Sequence, residues 1–318
     1  MENSSELLKV SELDLEIRME LKFKEISIND KDYINSFLKL SNPEISELTF
    51  ANMFMWRNFY NFRFVEINGL LCLISMPEKA RPYAFIPIGN VNSGNFREAL
   101  QIMKEFFREN NWSLVFNRVP ESFITLFNEN FQNDIEIEYD NNNSDYVYYS
   151  KDLITLSGKK YDGKRNHIHK LKKQYEYSYE KLDSSNIHEC KRIMDEWCAE
   201  KNCEEHGSNY CEKKANTELL DNLEKIGCKG ALINVNGRFE AFTIGEMLNN
   251  NTAVIHVEKA NSKINGLYTF VNQQFCENEW HSAEYINREQ DLGIEGIRRA
   301  KLSYHPAKII KKYSVIFK

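Results

Sequence analysis

Glycine and proline are scarce here, 13 and 6 in 318 residues, beside 42% hydrophobic and 28% charged residues. That composition excludes a collagen-like repeat and a long disordered chain. Long hydrophobic runs are missing too. The most apolar stretch, Gly69–Ile74, falls far below the roughly 20 residues needed to cross a bilayer. The opening segment, MENSSELLKVSELDLEIRME, has neither a basic n-region nor an apolar h-region, so no secretory leader is expected. The expected location is the cytoplasm, with no transmembrane segment.

No Cys-x-x-Cys occurs among the seven cysteines, an odd count in a chain large enough to build its own core. Reduced thiols are the expectation. Cys190, Cys198, Cys203 and Cys211 are separated by seven, four and seven residues, whereas tetrahedral zinc sites prefer two to four between paired ligands. His206 does not repair the spacing, and His167 and His169 point to different sides of a helix. No metal is expected. The P-loop, G-x-G-x-x-G, H-E-x-x-H and G-x-S-x-G patterns are all absent, which removes the usual grounds for nucleotide hydrolases, Rossmann dehydrogenases, zincins and α/β-hydrolases.

What is present is uneven charge. The net charge is -6, yet residues 159–173 carry seven Lys/Arg against one Asp, and residues 288–318 carry eight against three acids. Basic segments in an acidic protein can focus an anionic ligand such as a coenzyme phosphate, an RNA backbone or a lipid headgroup. Solvated faces are the plain alternative.

The hydrophobic pattern reads as two α/β units with a boundary near 155, giving domains 1–155 and 156–318. In the first, a helix is expected over Ile45–Tyr60, a hairpin at Asn68-Gly69, a helix over Ser93–Asn110 and strands within 135–149. In the second, the pattern predicts a basic helix Arg165–Tyr175, helices at Ile187–Ala199 and Glu212–Ile226, and a hairpin at Asn236-Gly237. The strand Thr252–Val257, helix 266–279, strand 283–287, helix 294–304 and strand 312–317 follow. The fold class is α/β, a mixed sheet with flanking helices, on the same plan twice.

The densest polar information lies where two strands end. His256-Val-Glu-Lys259 is followed by a loop to Asn265-Gly266 and a helix. Asn287, Arg288, Glu289 and Asp291 follow the next strand, and Arg298, Arg299, Lys301 and Tyr304 lie on the helix after it. Open α/β sheets place ligands at such strand ends, where helix N-termini offer free N–H donors. Acylation of an amine needs a base and an oxyanion donor. Glu258 and Glu289 are the candidate bases and Tyr304 the candidate donor. Lys259, Asn265, Gly266, Arg288, Arg298 and Lys301 are candidates for holding a cofactor or donor. Lys164, Arg165, Lys170 and Lys173 are candidates for nucleic acid or another anion. Strand alternation puts Glu258 and Lys259 on opposite faces, and a salt network capping strand ends is the structural alternative. Arg57, beside Trp56, is a candidate for an interdomain groove.

Five strings carry a family resemblance: SELTFANMFMWRNFY (46–60), KKYDGKRNHIHKLKKQYEYSYEKL (159–182), AFTIGE (241–246), HVEKANSKINGLYTFVNQQF (256–275) and YINREQDLGIEGIRRAKLSYHPAK (285–308). The chain resembles a bacterial family related to the C-terminal catalytic domain of phosphatidylglycerol lysyltransferases. The resemblance implies two tandem domains of the Gcn5-related N-acyltransferase fold. It also implies transfer of an aminoacyl or acyl group to an amine or hydroxyl acceptor. The implied donor is aminoacyl-tRNA, and the implied partners are tRNA and an anionic membrane surface or cell-wall precursor. Acetyl-CoA or another acyl-CoA is the alternative donor, though the loop Lys259–Gly266 offers one glycine where acetyltransferases carry several. A non-catalytic RNA- or protein-binding module of the same fold is the third reading. His256 stands at the family's aspartate, the acid partner of a lysyl ammonium, and Lys259 keeps the charge of its arginine.

Overall fold

The computed structural model describes residues 21–202 and 207–318, without the side chains of 207–211. The N-terminal segment, Cys203, His206 and the Cys211 side chain lie outside the described residues.

The first half runs β1 (Lys24–Glu25), α1 (Lys31–Ser41), α2 (Phe50–Tyr60), β2 (Phe62–Ile67), β3 (Leu70–Ser75), β4 (Tyr83–Ala84), β5 (Ile88–Gly89), α3 (Ser93–Glu109), β6 (Val115–Pro120), α4 (Glu121–Phe131) and β7 (Ile135–Tyr139). It continues through β8 (Asp145–Tyr149) and α5 (Ser150–Thr155). Then come α6 (Asp162–Gln174), β9 (Tyr177–Lys181), α7 (Ile187–Glu200), α8 (Gly207–Asp221), α9 (Leu223–Ile226), β10 (Lys229–Val235), β11 (Arg238–Met247) and β12 (Thr252–Ala260). The chain closes with α10 (Leu267–Glu279), β13 (Tyr285–Asn287), α11 (Glu295–Leu302), β14 (Lys308–Ile310) and β15 (Lys312–Phe317).

Both Asn-Gly hairpins form where expected. Asn68, Gly69, Asn236 and Gly237 all have positive φ, the requirement of a two-residue turn whose twist matches its strands. Helix α2 starts later than the pattern predicts, at Phe50 rather than Ile45. Thr49 caps it, its Oγ1 accepting from the Asn52 N–H at 3.1 Å. The preceding Ser46 is instead tied by its backbone N–H to Asp145 at 2.8 Å, a contact 99 residues away in sequence.

The strands form two mixed sheets flanked by helices. One runs β1-β2-β3-β4-β6-β15-β7, with β5 on β3; the other runs β14-β8-β13-β12-β11-β10-β9. The sheets exchange strands across the expected division at 155: β8 belongs to the second sheet, and the C-terminal β15 lies between β6 and β7 of the first. One face of the second sheet packs on α5, α6 and α10, around Phe270, Phe275 and Ile286. Its other face, with Phe242, Ile244 and Val257, is continuous with the core of the first half.

Two features of the β11–β12 pair position the site. Ile244 pairs with Val257 and Gly245 with Ile255, so His256 is the extra residue of a β-bulge. Beyond the bulge, β12 continues to Ala260 after its parallel partner β13 has ended, since the two pair only over Thr252–Val254 and Tyr285–Asn287. The strands part there, leaving a notch.

At the far end of β12 the chain turns through Gly266, with φ +88, into α10. A Cβ at Gly266 would lie 2.7 Å from the His167 carbonyl oxygen of α6. Gly266→Ala is therefore expected to destabilise the protein by about 2 kcal/mol, combining left-handed strain with the clash. A urea midpoint that falls at unchanged slope checks this.

Of the described cysteines, Cys72, Cys190, Cys228 and Cys276 are buried free thiols. Among the described residues no group of three or more His, Cys, Asp or Glu side chains could hold a metal ion, and no helix is long and apolar enough to cross a membrane.

Candidate functional site

The bulge turns His256 toward the first half, with only 1% of its side chain exposed. Its Nδ1 lies 2.8 Å from Glu289 Oε1 and its Nε2 lies 3.0 Å from Glu246 Oε1. Thr49 Oγ1, at the N-terminus of α2, is 3.5 Å from the same Nε2. Burial by itself would strip the ring of its charge. The hydrogen bonds and charges of Glu246 and Glu289 overturn that and hold the His256 pKa up at about 10. The group is an imidazolium between two carboxylates, with net charge −1. Glu246 and Glu289 are each about one-fifth exposed, so the carboxylates and not the imidazole face the solvent. Glu289 points here because its φ of 58 reverses the chain immediately after Arg288.

Lys259 lies on the same side of the sheet. Its Nζ pairs with Glu212 of α8 at 2.8 Å and sits 3.6 Å from the ring centroid of Trp197 on α7. Arg57 reaches from α2 to Glu218 of α8 at 2.7 Å. Alongside runs an ionic network centred on two fully buried groups, Lys312 and Asp145: Lys312 of β15 meets Glu47 and Asp145, each at 2.6 Å. Asp145 also accepts from Ser46 and from Asn287 Nδ2 at 3.0 Å. Arg118 approaches Glu47 at 3.3 Å. Burial raises the Glu47 pKa, with Lys312 opposing.

The pattern of the family described as phosphatidylglycerol lysyltransferase, C-terminal, matches residues 38–316. The chain belongs to that family. A conserved protein of unknown function from Bacteroides thetaiotaomicron VPI-5482 is 33% identical, with a TM-score of 0.88 over 94% of this chain and 100% of that one. The L-PGS of Bacillus licheniformis shares the fold, with a TM-score of 0.65 and 13% identity over 91% of this chain and 92% of that one. An uncharacterised protein of Mycoplasmoides gallisepticum is 24% identical over 184 residues, 57% of this chain. The match spans 58% of the length of that curated relative.

In this lysyltransferase-family chain the expected site residues do not converge on one cleft. Glu289 and Lys259 lie on the face between the halves. Glu258, as alternation requires, lies on the opposite face, in the notch where β12 and β13 part. Its Oε1 accepts from Arg288 Nη2 at 2.9 Å and its Oε2 from Asn272 Nδ2 at 3.0 Å. Tyr304 is buried in the same notch, its ring centroid 4.7 Å from the Arg288 guanidinium carbon. Glu258 and Glu289 therefore lie on opposite sides of β12. Lys164 joins the notch: its Nζ is 3.9 Å from the Tyr304 ring centroid and 2.8 Å from Ser303 Oγ. Burial, then the charge of Arg288, brings the Lys164 pKa down to about 8.

The remaining candidates divide between structural engagement and open surface. Arg298 grips Asp291 with two nitrogens, at 2.7 and 2.9 Å. Lys301 donates to the backbone carbonyls of Arg288 and Gln290, and burial brings its pKa down to about 8. Both hold the loop that aims Arg288 and Glu289, rather than facing a ligand. Arg165 is engaged with the Leu156 and Gly158 carbonyls and with Asp162. Gly266 is covered by the His167 carbonyl. Asn265, Lys170 and Lys173 are exposed.

Sequence reasoning missed Glu246, Thr49, Trp197, Glu212, Glu47, Asp145 and Lys312. Glu246 was within reach, since folding the Asn236-Gly237 hairpin and pairing the next strand puts it beside the segment of His256. Trp197 and Glu212 meet Lys259 only through the packing of α7 and α8 on β12, and Thr49, Glu47, Asp145 and Lys312 depend on contacts between the halves.

Proposed function

We propose that this chain is a transferase that moves an aminoacyl or acyl group onto an amine or hydroxyl acceptor at the face between its two halves. The observation that carries the reading is His256 held positive between two part-exposed carboxylates. At the position of the family's aspartate stands a histidine, yet the group of three keeps that aspartate's net charge of −1. An acid partner for a substrate ammonium is thus supplied by Glu246 and Glu289.

The imidazolium cannot serve as a base near neutral pH, so a carboxylate takes that role. The acceptor's nitrogen or oxygen attacks the donor's carbonyl carbon and gives its proton to Glu289 or Glu246. The tetrahedral oxyanion collapses, the ester C–O bond breaks, and the leaving hydroxyl oxygen takes the proton. Each half follows the hairpin, strand and helix plan of an N-acyltransferase-like unit, and we take 1–155 and 156–318 as those units with one strand exchanged in each direction.

Two features favour aminoacyl-tRNA over acyl-CoA as donor. The turn into α10 offers one glycine and is packed beneath the His167 carbonyl, and the notch between β12 and β13 is filled by the Glu258–Arg288 pair. The exposed Lys170 and Lys173 on α6 offer contacts to phosphate. Purified protein tested against an aminoacyl-tRNA pool and acetyl-CoA at two salt concentrations decides between them. The expected result is salt-sensitive tRNA binding, weakened about threefold to tenfold by Lys170→Ala with Lys173→Ala. Tight acetyl-CoA binding without tRNA binding sinks the aminoacyl reading.

A further inference from the structure

Helix α11 carries its apolar side chains on the outside. None of its residues is buried. Ile297 and Leu302 are 39% and 49% exposed, and Leu292 and Ile294, in the turn leading into the helix, are 58% and 51% exposed. Leu292 takes a left-handed backbone with φ 56, a conformation uncommon outside glycine, asparagine and aspartate. A strained residue whose side chain finds no core, within a run of exposed aliphatics, marks a surface kept for contact. Two charged side chains do the reverse. Arg298 and Lys301 turn inward, to Asp291 and to the carbonyls of Arg288 and Gln290.

The outer crest of the helix, opposite Arg298 and Lys301, holds Gly296 and Ala300 one turn apart, both exposed. A Cβ at Gly296 would meet nothing within 4 Å, so this chain leaves the crest open to the close approach of another backbone. Helical spacing puts Ile297 on one flank of the crest and Leu302 on the other. Glu295 and Arg299 stand beside it, 81% and 75% exposed and paired with each other at 3.7 Å. Their charges cancel, so they offer no surplus to draw a polyanion or an anionic bilayer. One acid and one base equidistant in sequence from Ile297 match the same surface related by a two-fold axis. With two copies of α11 antiparallel and Ile297 at the axis, Glu295 of each copy meets Arg299 of the other, and Leu292 approaches Leu302 of the other. A parallel arrangement sets like charges side by side.

We infer that the chain pairs with a second copy of itself through α11, antiparallel about a two-fold axis at Ile297. The contact is small and transient, with a dissociation constant on the order of 10–100 μM. It uses none of the groups assigned to the transfer reaction, so the two readings fail separately.

The test is sedimentation equilibrium of the full chain, from about tenfold below that constant to about tenfold above it. A monomer–dimer equilibrium is expected. Ala300→Arg, which puts a long charged side chain on the crest at little cost to the helix, is expected to weaken it by about tenfold or more, and Ile297→Asp likewise. Glu295→Lys alone and Arg299→Glu alone are each expected to weaken it about threefold to tenfold, because each brings like charges together twice. Both reversals in one chain are expected to restore it. A chain that stays monomeric throughout overturns the inference. If that monomer floats with phosphatidylglycerol vesicles and Ile297→Asp stops it, the patch belongs to a bilayer instead. A dimer that neither Ala300→Arg nor Ile297→Asp weakens also overturns it, by placing the contact elsewhere. A dimer that the double reversal fails to restore overturns the antiparallel pairing.

Discussion

Replacing Lys312 by methionine is expected to lower the free energy of unfolding by about 3–5 kcal/mol, because it leaves two buried carboxylates without their shared cation. Lys312 has no solvent exposure, and neither has Asp145. The ammonium sits 2.6 Å from both Asp145 and Glu47. Arg118 approaches Glu47 only at 3.3 Å and also serves Asp140 at 2.8 Å, so it cannot replace the lysine. Methionine fills a similar volume, which separates the charge effect from a cavity. The effect also reaches topology: Lys312 opens β15, the strand that the C-terminus lends to the first sheet. Urea unfolding checks the prediction through a lowered midpoint. A loss under about 1 kcal/mol, the range of exposed ion pairs, would mean the network is not charged as described. A second comparison sharpens it. If Lys312→Met is combined with Asp145→Asn and Glu47→Gln, most of the loss should be recovered, since the penalty lies in stranded charge rather than in the lost contact.

The network also shows where reading a sequence stops. Local chemistry was legible: Asn-Gly at 68–69 and 236–237 dictates a hairpin whatever surrounds it, and the apolar spacing of Phe96, Leu100, Met103 and Phe107 specifies α3 down to its buried face. The start of α2 was not legible, because Ile45–Thr49 would continue the helix were Ser46 not held by Asp145. Nor was the placement of β8 and β15, since no local pattern says which of two similar sheets a strand joins. The candidate site suffered from one extra residue. Counting by twos along β12 puts His256 and Glu258 on one face. The bulge at His256 breaks the count, sending His256 to the first half and Glu258 to the notch. Alternation was right about Glu258 and Lys259, which both follow the bulge.

The imidazole of His256 is expected to remain protonated to about pH 9, where exposed histidines have long since lost their proton near 6.5. Burial works against that charge, and the two carboxylates at 2.8 and 3.0 Å prevail. The consequence for stability has a definite sign. A histidine whose folded pKa of about 10 lies above its unfolded value of 6.5 binds a proton more tightly in the native state. Its contribution is fully present below about pH 6.5 and is lost as pH rises toward 10. Lys164 and Lys301 act in the opposite sense, because burial lowers their pKa values to about 8, so their charge penalty is relieved above that pH. Between about pH 6.5 and 8 His256 therefore acts alone among these three. In that window the wild-type protein should lose stability relative to His256→Gln by roughly 1.4 kcal/mol per pH unit, the slope of one proton. Near pH 7 the substitution itself should cost about 2–3 kcal/mol, less than a fully buried pair because Glu246 and Glu289 keep part of their solvent. NMR of the imidazole resonances gives the direct measurement. A His256 that titrates near 6.5 would mean the carboxylates do not hold it charged, and with its positive charge gone the group of three would carry −2 rather than −1. A site of that charge would no longer stand in for the family's aspartate, and Glu246 and Glu289 would lose the cation that lies between them.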